Sequence, residues 1–416
     1  MGAMSSGAVT VMGAGLLGSC VALDLAQHGI KVVLVEQDTS PMNRTSIRGE
    51  GKIHLGLVYA NDPTLATARV MMDGALSFHR LLREWLGEKA GRIPVSTPFT
   101  YAVAHDSIMT PAELTSFYGE LEELYWEQFR QDSAADYMGT RPTHLTRRLS
   151  QAELSRYLSP AGCAAAFQTA ELAVRPSIIG QVVREAIAAE ENITLLTGTQ
   201  VQSVARRAEG FAIEVSRHGV TEELRSEQVV NCTWERRMVI DQSMGIDHGG
   251  GWLHRLKYGV YAKIPDALRG GPSITMVIGR YGDVVIHEDG HAYLSWYPVG
   301  LRGWTSDVEP PRAWDAHAKG APPVQEAAEV VAQTLAAIDR WYPGIGASQV
   351  ISAGAGAIVA KGHTDVNDKA SRLHDRAMVD IKSLDGYHTI YQGKLTTSPY
   401  FARLAAQRIL GVEAAV

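Results

Sequence analysis

The chain has 416 residues, a formal net charge of −6 and 45% hydrophobic residues, which is ordinary for a globular protein of two domains and gives no basic field for nucleic acid. Its 3 cysteines have neither CxxC nor zinc spacing, so neither a disulfide framework nor a metal site is indicated. No apolar run reaches the roughly 18 residues that span a bilayer, and no signal-peptide pattern opens the chain, so the sequence predicts a cytoplasmic protein.

The first element is an apolar strand that enters a glycine-rich turn. Residues 8–18 read Ala-Val-Thr-Val-Met-Gly-Ala-Gly-Leu-Leu-Gly, a GxGxxG pattern at the start of a helix. The first glycine allows the tight turn, the second lets backbone N–H groups approach a pyrophosphate, and the third lets the helix pack on the strand. A second apolar run over 30–36 ends in an acid that can bind an adenosine ribose and would repel a 2′-phosphate. The expected dinucleotide contacts are Gly13, Gly15, Leu16, Leu17, Gly18, Glu36 and Gln37.

These contacts predict an adenine dinucleotide other than NADP, and they leave NAD and FAD both open. A polar loop follows over 38–52, and then a short apolar run over 53–59 that contains His54. Apolar spacing predicts a long helix over 63–87, and weak alternation predicts a strand over 93–104. Thr110 and Ser150 each open a capping box, with glutamate three residues later, so each predicts the start of a helix.

The second half of the chain alternates between buried runs and polar turns. Several short runs split by Gly, Pro or Asp predict an antiparallel sheet. The predicted elements are a helix over 178–190, strands over 193–204, 211–215 and 229–234, sheet strands over 256–264, 274–278, 283–287 and 292–298, a helix over 324–341, strands over 375–382 and 387–391, a polar turn over 392–399 and a last helix over 400–410.

Four pieces of this order resemble the FAD-dependent oxidoreductases of the D-amino-acid oxidase type, which include glycine oxidase, sarcosine oxidase, L-2-hydroxyglutarate dehydrogenase and the flavin glycerol-3-phosphate dehydrogenases. The segment from Gly13 to Glu36 resembles their adenosine and pyrophosphate site. Gly51-Lys-Ile-His-Leu-Gly-Leu-Val-Tyr59 resembles the IHxGxxY block of L-2-hydroxyglutarate dehydrogenases, and 174–234 resembles their middle FAD segment. Gly393-Lys-Leu-Thr-Thr397 resembles the GGKxTT block of glycerol-3-phosphate dehydrogenases.

The resemblance spans nearly the whole chain and implies an α/β (α+β overall) fold. A Rossmann-like FAD-binding domain over 1–75, 165–235 and 350–416 would be interleaved with a substrate domain over 76–165 and 236–350, which is built on an antiparallel sheet with helices. The implied FAD is non-covalent, because no Cys or His lies in an identifiable attachment context. Further implied FAD contacts are Arg44, Thr45, Ser46, Lys52, Ile53, His54, Val201, Cys232, Thr233, Trp234, Gly393, Lys394, Leu395, Thr396 and Thr397.

Each group of these contacts has a physical role. The loop at Arg44 places donors near the phosphates or the flavin, and the backbone of Val201 can bind the adenine. The turn from Gly393 opens the last helix, whose N–H groups and dipole can stabilise negative charge on the flavin N1–C2=O edge. Lys394 could add to that charge stabilisation, and its alternative is a solvated turn lysine.

The implied reaction is hydride transfer from a substrate carbon to flavin N5. The substrate would be a small α-hydroxy acid, an amine or amino acid, or a polyol derivative, and O2 or another acceptor would take the electrons. His54 is the candidate base, or it packs beside the flavin without a proton role. Arg302 with Tyr297 is the candidate carboxylate anchor, or each is an ordinary sheet or surface residue. Two alternatives are an NAD-dependent dehydrogenase and a flavin-binding protein without turnover. The sequence does not indicate an oligomeric state.

Overall fold

A computed structural model describes residues 9–373 and 375–412, so both ends of the predicted FAD-binding domain lie outside the described residues. In chain order the strands are β1 (Val9–Met12), β2 (Val32–Val35), β3 (Lys52–Ile53), β4 (Phe99–Ala104), β5 (Thr146–Arg148), β6 (Cys163–Thr169), β7 (Leu172–Ala173), β8 (Ile193–Leu196), β9 (Thr199–Arg206), β10 (Phe211–Arg217), β11 (Val220–Ser226), β12 (Gln228–Asn231), β13 (Trp252–Lys263), β14 (Ser273–Val277), β15 (Gly282–Ile286), β16 (His291–Trp296), β17 (Leu301–Thr305), β18 (Gln349–Lys361), β19 (Asp380–Leu384) and β20 (Tyr387–Tyr391). The α-helices are α1 (Leu16–Gln27), α2 (Ala66–Leu86), α3 (Pro111–Gln131), α4 (Gln151–Leu154), α5 (Pro176–Ala189), α6 (Arg237–Ser243), α7 (Tyr297–Gly300), α8 (Asp315–Ala318), α9 (Val324–Asp339) and α10 (Ser398–Leu410).

A six-stranded sheet in the order β19-β20-β12-β1-β2-β8 contains the strand that leads into the glycine turn. Its strands run parallel except β19, which pairs antiparallel with β20. Side chains alternate along a strand. Val9 and Val11 belong to the hydrophobic core that includes residues of α1, α2, α5 and α10, while Met12 belongs to a second core that includes residues of β9 and β10. The expected Rossmann-like sheet is confirmed, and both of its faces are covered.

The second large sheet has nine strands, in the order β17-β13-β16-β15-β14-β4-β6-β5, with β18 also paired to β13. All of its pairs are antiparallel except β14 with β4. Val260 and Leu294 on one face pack with Ile338 of α9. Tyr293 on the other face joins the core shared with the first sheet. One face of the nine-stranded sheet is therefore directed toward the six-stranded sheet, whose strand β1 leads into the glycine turn.

The local signals in the sequence have different outcomes. Both capping boxes are confirmed, since Thr110 and Ser150 accept from the backbone N–H three residues on and each glutamate accepts in return. The strand predicted over 93–104 begins only at Phe99, because Pro94 and Pro98 have no N–H to donate to a ladder.

The strand predicted over 375–382 begins only at Asp380. Before it, Asp375 and Arg376 make side-chain and backbone hydrogen bonds to Thr67 and Val359 instead of a ladder. β18 begins at the predicted domain boundary near 350, but it pairs with β13 of the nine-stranded sheet. The domain boundaries near 165 and 350 stay a prediction. Among the described residues no helix combines the length and the apolar character that a bilayer span requires.

Candidate active site

The carboxyl ends of the parallel strands meet at one edge of the six-stranded sheet. The register pairs Met12, the last residue of β1, with Val35 of β2 and Asn231 of β12. The segments that follow these strands, together with the turn after β20, line one cavity of about 1590 Å³, a volume that includes its open mouth. This is the edge at which open α/β sheets bind ligands. The predicted contacts on the wall of this cavity are Gly13, Gly15, Leu16, Leu17, Glu36, Gln37, Arg44, Thr45, Ser46, Lys52, His54, Val201, Cys232, Thr233, Trp234, Gly393, Lys394 and Leu395.

The glycine turn leaves room for a ligand only at its middle glycine. A Cβ on Gly13, whose φ is +92°, would lie 2.7 Å from the carbonyl oxygen of Cys232. A Cβ on Gly18 would lie 1.9 Å from the carbonyl oxygen of Gly13. Gly15 faces the cavity, and a Cβ there would meet only Ser46 Oγ, at 3.1 Å. The outer two glycines therefore bring strand and helix together, and the middle one forms a cradle at the start of α1.

The end of β2 carries a buried carboxylate. Glu36 is 7% exposed, and its oxygens accept from the N–H groups of Ala14 and Asp38, both at 2.9 Å. Burial raises the pKa of Glu36, while these two hydrogen bonds lower it in part. Gln37 accepts from the side-chain amide of Gln200 at 3.2 Å, next to Val201 on the cavity wall. This end of the cavity fits the ribose and adenine roles that the sequence assigns to Glu36 and Val201.

Arg44 forms ion pairs with carboxylates of the protein. Its guanidinium pairs with Asp38 at 3.0 Å, Glu235 at 2.5 Å and Asp315 at 3.0 Å. The sequence assigns Arg44 to the phosphates or the flavin, but the structure shows its charge shared among three acids. The neighbouring Ser46 accepts from the N–H of Leu16 at 3.0 Å. Ser46 Oγ therefore fixes the loop against the start of α1.

Charged side chains gather at the other end of the cavity, where Glu50, Lys52, His54, Lys257 and Lys394 line the wall. Lys52 Nζ lies 2.9 Å from Asp283 Oδ1 and donates to Thr275 Oγ1. Glu50 Oε1 lies 4.0 Å from Lys394 Nζ and 3.9 Å from His54 Nε2.

Their charges shift one another's ionisation. Burial by itself would raise the pKa of Glu50, but the ammonium groups of Lys394, Lys257 and Lys52 lower it to about 2. Burial lowers the pKa of Lys394 to about 8, against the opposing effect of Glu50. Glu50 is therefore a carboxylate at neutral pH, and Lys394 loses its proton more readily than an ordinary lysine.

His54 is held rigidly beside this cluster. Its side chain is buried and meets the ring of Tyr59 edge-on at 5.5 Å. Its backbone N–H donates to Thr396 Oγ1 at 3.1 Å, and that hydroxyl donates to the carbonyl of Lys52. Segments more than three hundred residues apart are joined in this way. Of the predicted contacts, Gly18, Ile53, Thr396 and Thr397 lie behind the cavity wall and support it.

The structure does not bring the two predicted carboxylate anchors to the cavity wall. Tyr297 OH donates to Asp365 at 2.7 Å and accepts from Arg255 at 3.0 Å. Arg302 lies on β17, an edge strand, and pairs with Glu329 at 3.3 Å. This placement differs from the expectation, because Arg255 and Asp365 engage Tyr297, and Arg302 lies at a sheet edge where Glu329 pairs with it.

Some of the other wall residues were not singled out from the sequence, among them Arg48, Glu50, Lys257, Tyr293 and Ile358. Lys257 had a usable signal, since it is a charged residue in a strand most of whose residues are buried. No group of three or more His, Cys, Asp or Glu side chains in the described part of the chain is arranged to hold a metal ion.

Comparison with known proteins assigns the family. The family model for FAD dependent oxidoreductases of the DAO type matches residues 8–408. The chain belongs to this family. The resemblance stated from the sequence is thereby confirmed, FAD is the cofactor of the family, and an NAD-dependent dehydrogenase is no longer an alternative.

Relatives within and around the family are distant in sequence. Glycerol 3-phosphate oxidase of Mycoplasma pneumoniae is 21% identical over 225 residues, which are 54% of this chain and 53% of that protein, so the chain aligns with about half of its length. Glycine oxidase of Geobacillus kaustophilus has a TM-score of 0.70 at 15% identity, covering 98% of this chain and 95% of that one. L-α-glycerophosphate oxidase of Mycoplasma pneumoniae with FAD bound has a TM-score of 0.64 at 17% identity, covering 97% and 94%. At sequence identities this low, the similarity to these solved structures shows a shared fold alone.

Proposed function

We propose that this member of the FAD-dependent oxidoreductase family oxidises a small substrate at a carbon that carries a hydroxyl or an amino group. One observation supports this proposal above the others: a single cavity joins the glycine cradle and Glu36 at one end to Glu50, His54 and Lys394 at the other. Bound FAD supplies the acceptor for the hydride that leaves the substrate carbon. O2 or another external acceptor would take the electrons.

The proposed binding residues follow the length of the cavity. The N–H groups at the start of α1, which Gly15 leaves accessible, would hold the pyrophosphate. Glu36 would hold the ribose and Val201 the adenine. The turn at Gly393 and the N-terminus of α10 would favour negative charge at the flavin end. We propose non-covalent binding, because burial raises the pKa of the Cys232 thiol on the wall and keeps it protonated.

His54 is the proposed proton acceptor for a hydroxyl substrate. The ring lies on the cavity wall, and the Glu50 carboxylate 3.9 Å from its Nε2 would stabilise the imidazolium once a proton arrives. A neutral amine substrate needs no such base. The fixed backbone of His54, bonded to Thr396, would keep the ring oriented in either case.

Anaerobic titration of the purified holoenzyme tests the proposal. We expect at least one α-hydroxy acid, amine or polyol derivative to bleach the visible flavin absorption, as dithionite does. For a hydroxyl substrate, we expect His54→Ala to slow the bleaching by about 10²- to 10⁴-fold. Bleaching by dithionite but by none of the candidate substrates would refute the proposal and favour a flavin-binding protein without turnover.

A further inference from the structure

Cations outnumber acids at the charged end of the cavity. Lys52 is paired with Asp283 at 2.9 Å, and Lys394 is paired with Glu50 at 4.0 Å. Lys257 is half-buried on the cavity wall, and no carboxylate of the described residues lies within 4.0 Å of its ammonium group. Lys257 therefore has no direct carboxylate partner, although its charge also acts on Glu50, and its ammonium group is available to a ligand in the cavity.

A second cation lies just behind the wall. Arg376 is 2% exposed, and its Nη1 donates to the carbonyl of Val359 and to Tyr391 OH, both at 3.1 Å. Its Nε has no partner, and no acid in residues 9–373 or 375–412 pairs with it. Val359 follows the wall residue Ile358, and a Cβ on Gly393 would lie 3.6 Å from Arg376 Cδ. The guanidinium of Arg376 thus lies behind the cavity wall at Ile358 and at Gly393.

A third cation stands on the same strand as Lys257. Arg255 is two residues earlier on β13, so both side chains lie on one face of the strand. Arg255 is 3% exposed and donates to Tyr297 OH at 3.0 Å, while its Nε has no partner. The nearby Asp365 accepts from Tyr297 and also pairs with Arg280 at 3.3 Å. No acid in the described chain pairs directly with Arg255.

These cations are close enough to disfavour one another. Burial lowers the pKa of Arg255, Tyr297 and Asp365 oppose that effect, and the charge of Arg376 lowers the pKa further. Burial also lowers the pKa of Lys394, and Arg376, Lys257 and Lys52 add to that effect. Uncompensated buried charges are costly, so a cluster of this kind is stabilised when an anion enters beside it.

We propose that Lys257, Arg255 and Arg376 form an anion subsite that selects a substrate with two negative charges, such as a phosphate monoester or a dicarboxylate. This inference rests on the proposed function and narrows its substrate class. Lys257 contacts the anion from the cavity wall. Arg255 and Arg376 are positioning residues that act through their charge from behind the wall.

Binding of inorganic phosphate and sulfate to the oxidised holoenzyme tests the subsite without turnover. The readout is the perturbation of the visible flavin spectrum, which gives a dissociation constant. We expect Lys257→Met and Arg376→Met each to weaken phosphate binding about tenfold or more, and Arg376→Lys to stay within about threefold of the wild type. Lys263→Met is the matched control, because Lys263 is an exposed residue on the same strand, and it should bind phosphate as the wild type does.

Unchanged phosphate affinity in Lys257→Met, or an equal loss in Lys263→Met, would overturn the inference, and so would an Arg376→Lys loss as large as that of Arg376→Met. Arg376→Met is judged only if its thermal unfolding remains that of a folded protein, and Lys257→Met carries the test otherwise.

Anaerobic reduction by matched substrates separates this inference from the proposed function. We expect reduction by a phosphorylated polyol or by a hydroxy dicarboxylate, and the one that reduces identifies the source of the two charges. Equal reduction by neutral analogues, with KM unchanged in Lys257→Met, would overturn the subsite and leave the proposed function intact. Reduction by no substrate, together with phosphate binding that depends on Lys257, would refute the proposed function alone.

Discussion

Replacement of Gly13 by alanine separates the cost of an unusual backbone angle from the cost of a lost close approach. Gly13 has a φ of +92°, and Gly29 at the end of α1 has a φ of +82°. A Cβ on Gly29 would meet no atom of the described residues within 4 Å, whereas a Cβ on Gly13 would lie 2.7 Å from the oxygen of Cys232 and 3.0 Å from Thr233 Cα. Both variants are destabilised by the left-handed angle. Only Gly13→Ala also pushes the backbone of Cys232 and Thr233 away from the glycine turn.

The left-handed angle costs an alanine roughly 1–2 kcal/mol, so we expect Gly29→Ala to lower the free energy of unfolding by about that amount. Overpacking against backbone, which no rotamer change relieves, adds about 1–3 kcal/mol for Gly13→Ala. The ends of β1 and β12 must then separate at the cavity wall. We therefore expect FAD affinity to fall at least tenfold, or about 1.4 kcal/mol, in Gly13→Ala and to remain unchanged in Gly29→Ala.

Urea unfolding measures the stability of the two apoproteins, and FAD fluorescence quenching on reconstitution measures affinity. Equal FAD affinity in Gly13→Ala and Gly29→Ala would refute the reasoning, because it would mean that the close approach of Gly13 to Cys232 does not shape the cofactor site.

Three further predictions concern single side chains. Because Lys394 is protonated below a pKa of about 8, phosphate binding to the holoenzyme should weaken as pH rises through 8, and Lys394→Met should remove that step; a step that survives the substitution would assign it to another group. Lys52→Met leaves Asp283 without its cation, so urea unfolding should show a loss of about 3–5 kcal/mol, partly recovered when Asp283→Leu is added; a loss within error of zero would contradict the pairing. Thr110→Ala removes the capping box of α3 and should cost about 1 kcal/mol in the same assay, with FAD content unchanged as the control for a local effect.

The parts that could be predicted from the sequence are those encoded within a few residues. The turn from Gly13 to Gly18 needs only its own strand and helix, and the capping box at Thr110 needs only the next three residues. Glu36 lies at the end of a strand parallel to β1, so its arrival at the same edge follows from the order of the elements.

The charged end of the cavity depends on contacts that no local pattern encodes. Arg44 looked free to meet a phosphate, but Glu235 and Asp315 reach it from far along the chain. Arg302 looked suitable as an anchor, but the pairing of β17 at the sheet edge turns it toward Glu329. Arg376 lies in a stretch that was expected to be a strand. Only the fold shows that its guanidinium reaches Val359 and Tyr391.

A crystal structure of the purified holoenzyme tests most directly whether this single cavity holds FAD along its length. We expect the adenosine beside Glu36 and Val201, the pyrophosphate at the start of α1 near Gly15, and the flavin ring between His54 and the turn at Lys394. A flavin ring that lies away from His54 and Lys394 would contradict the assignment of the charged end as the catalytic end.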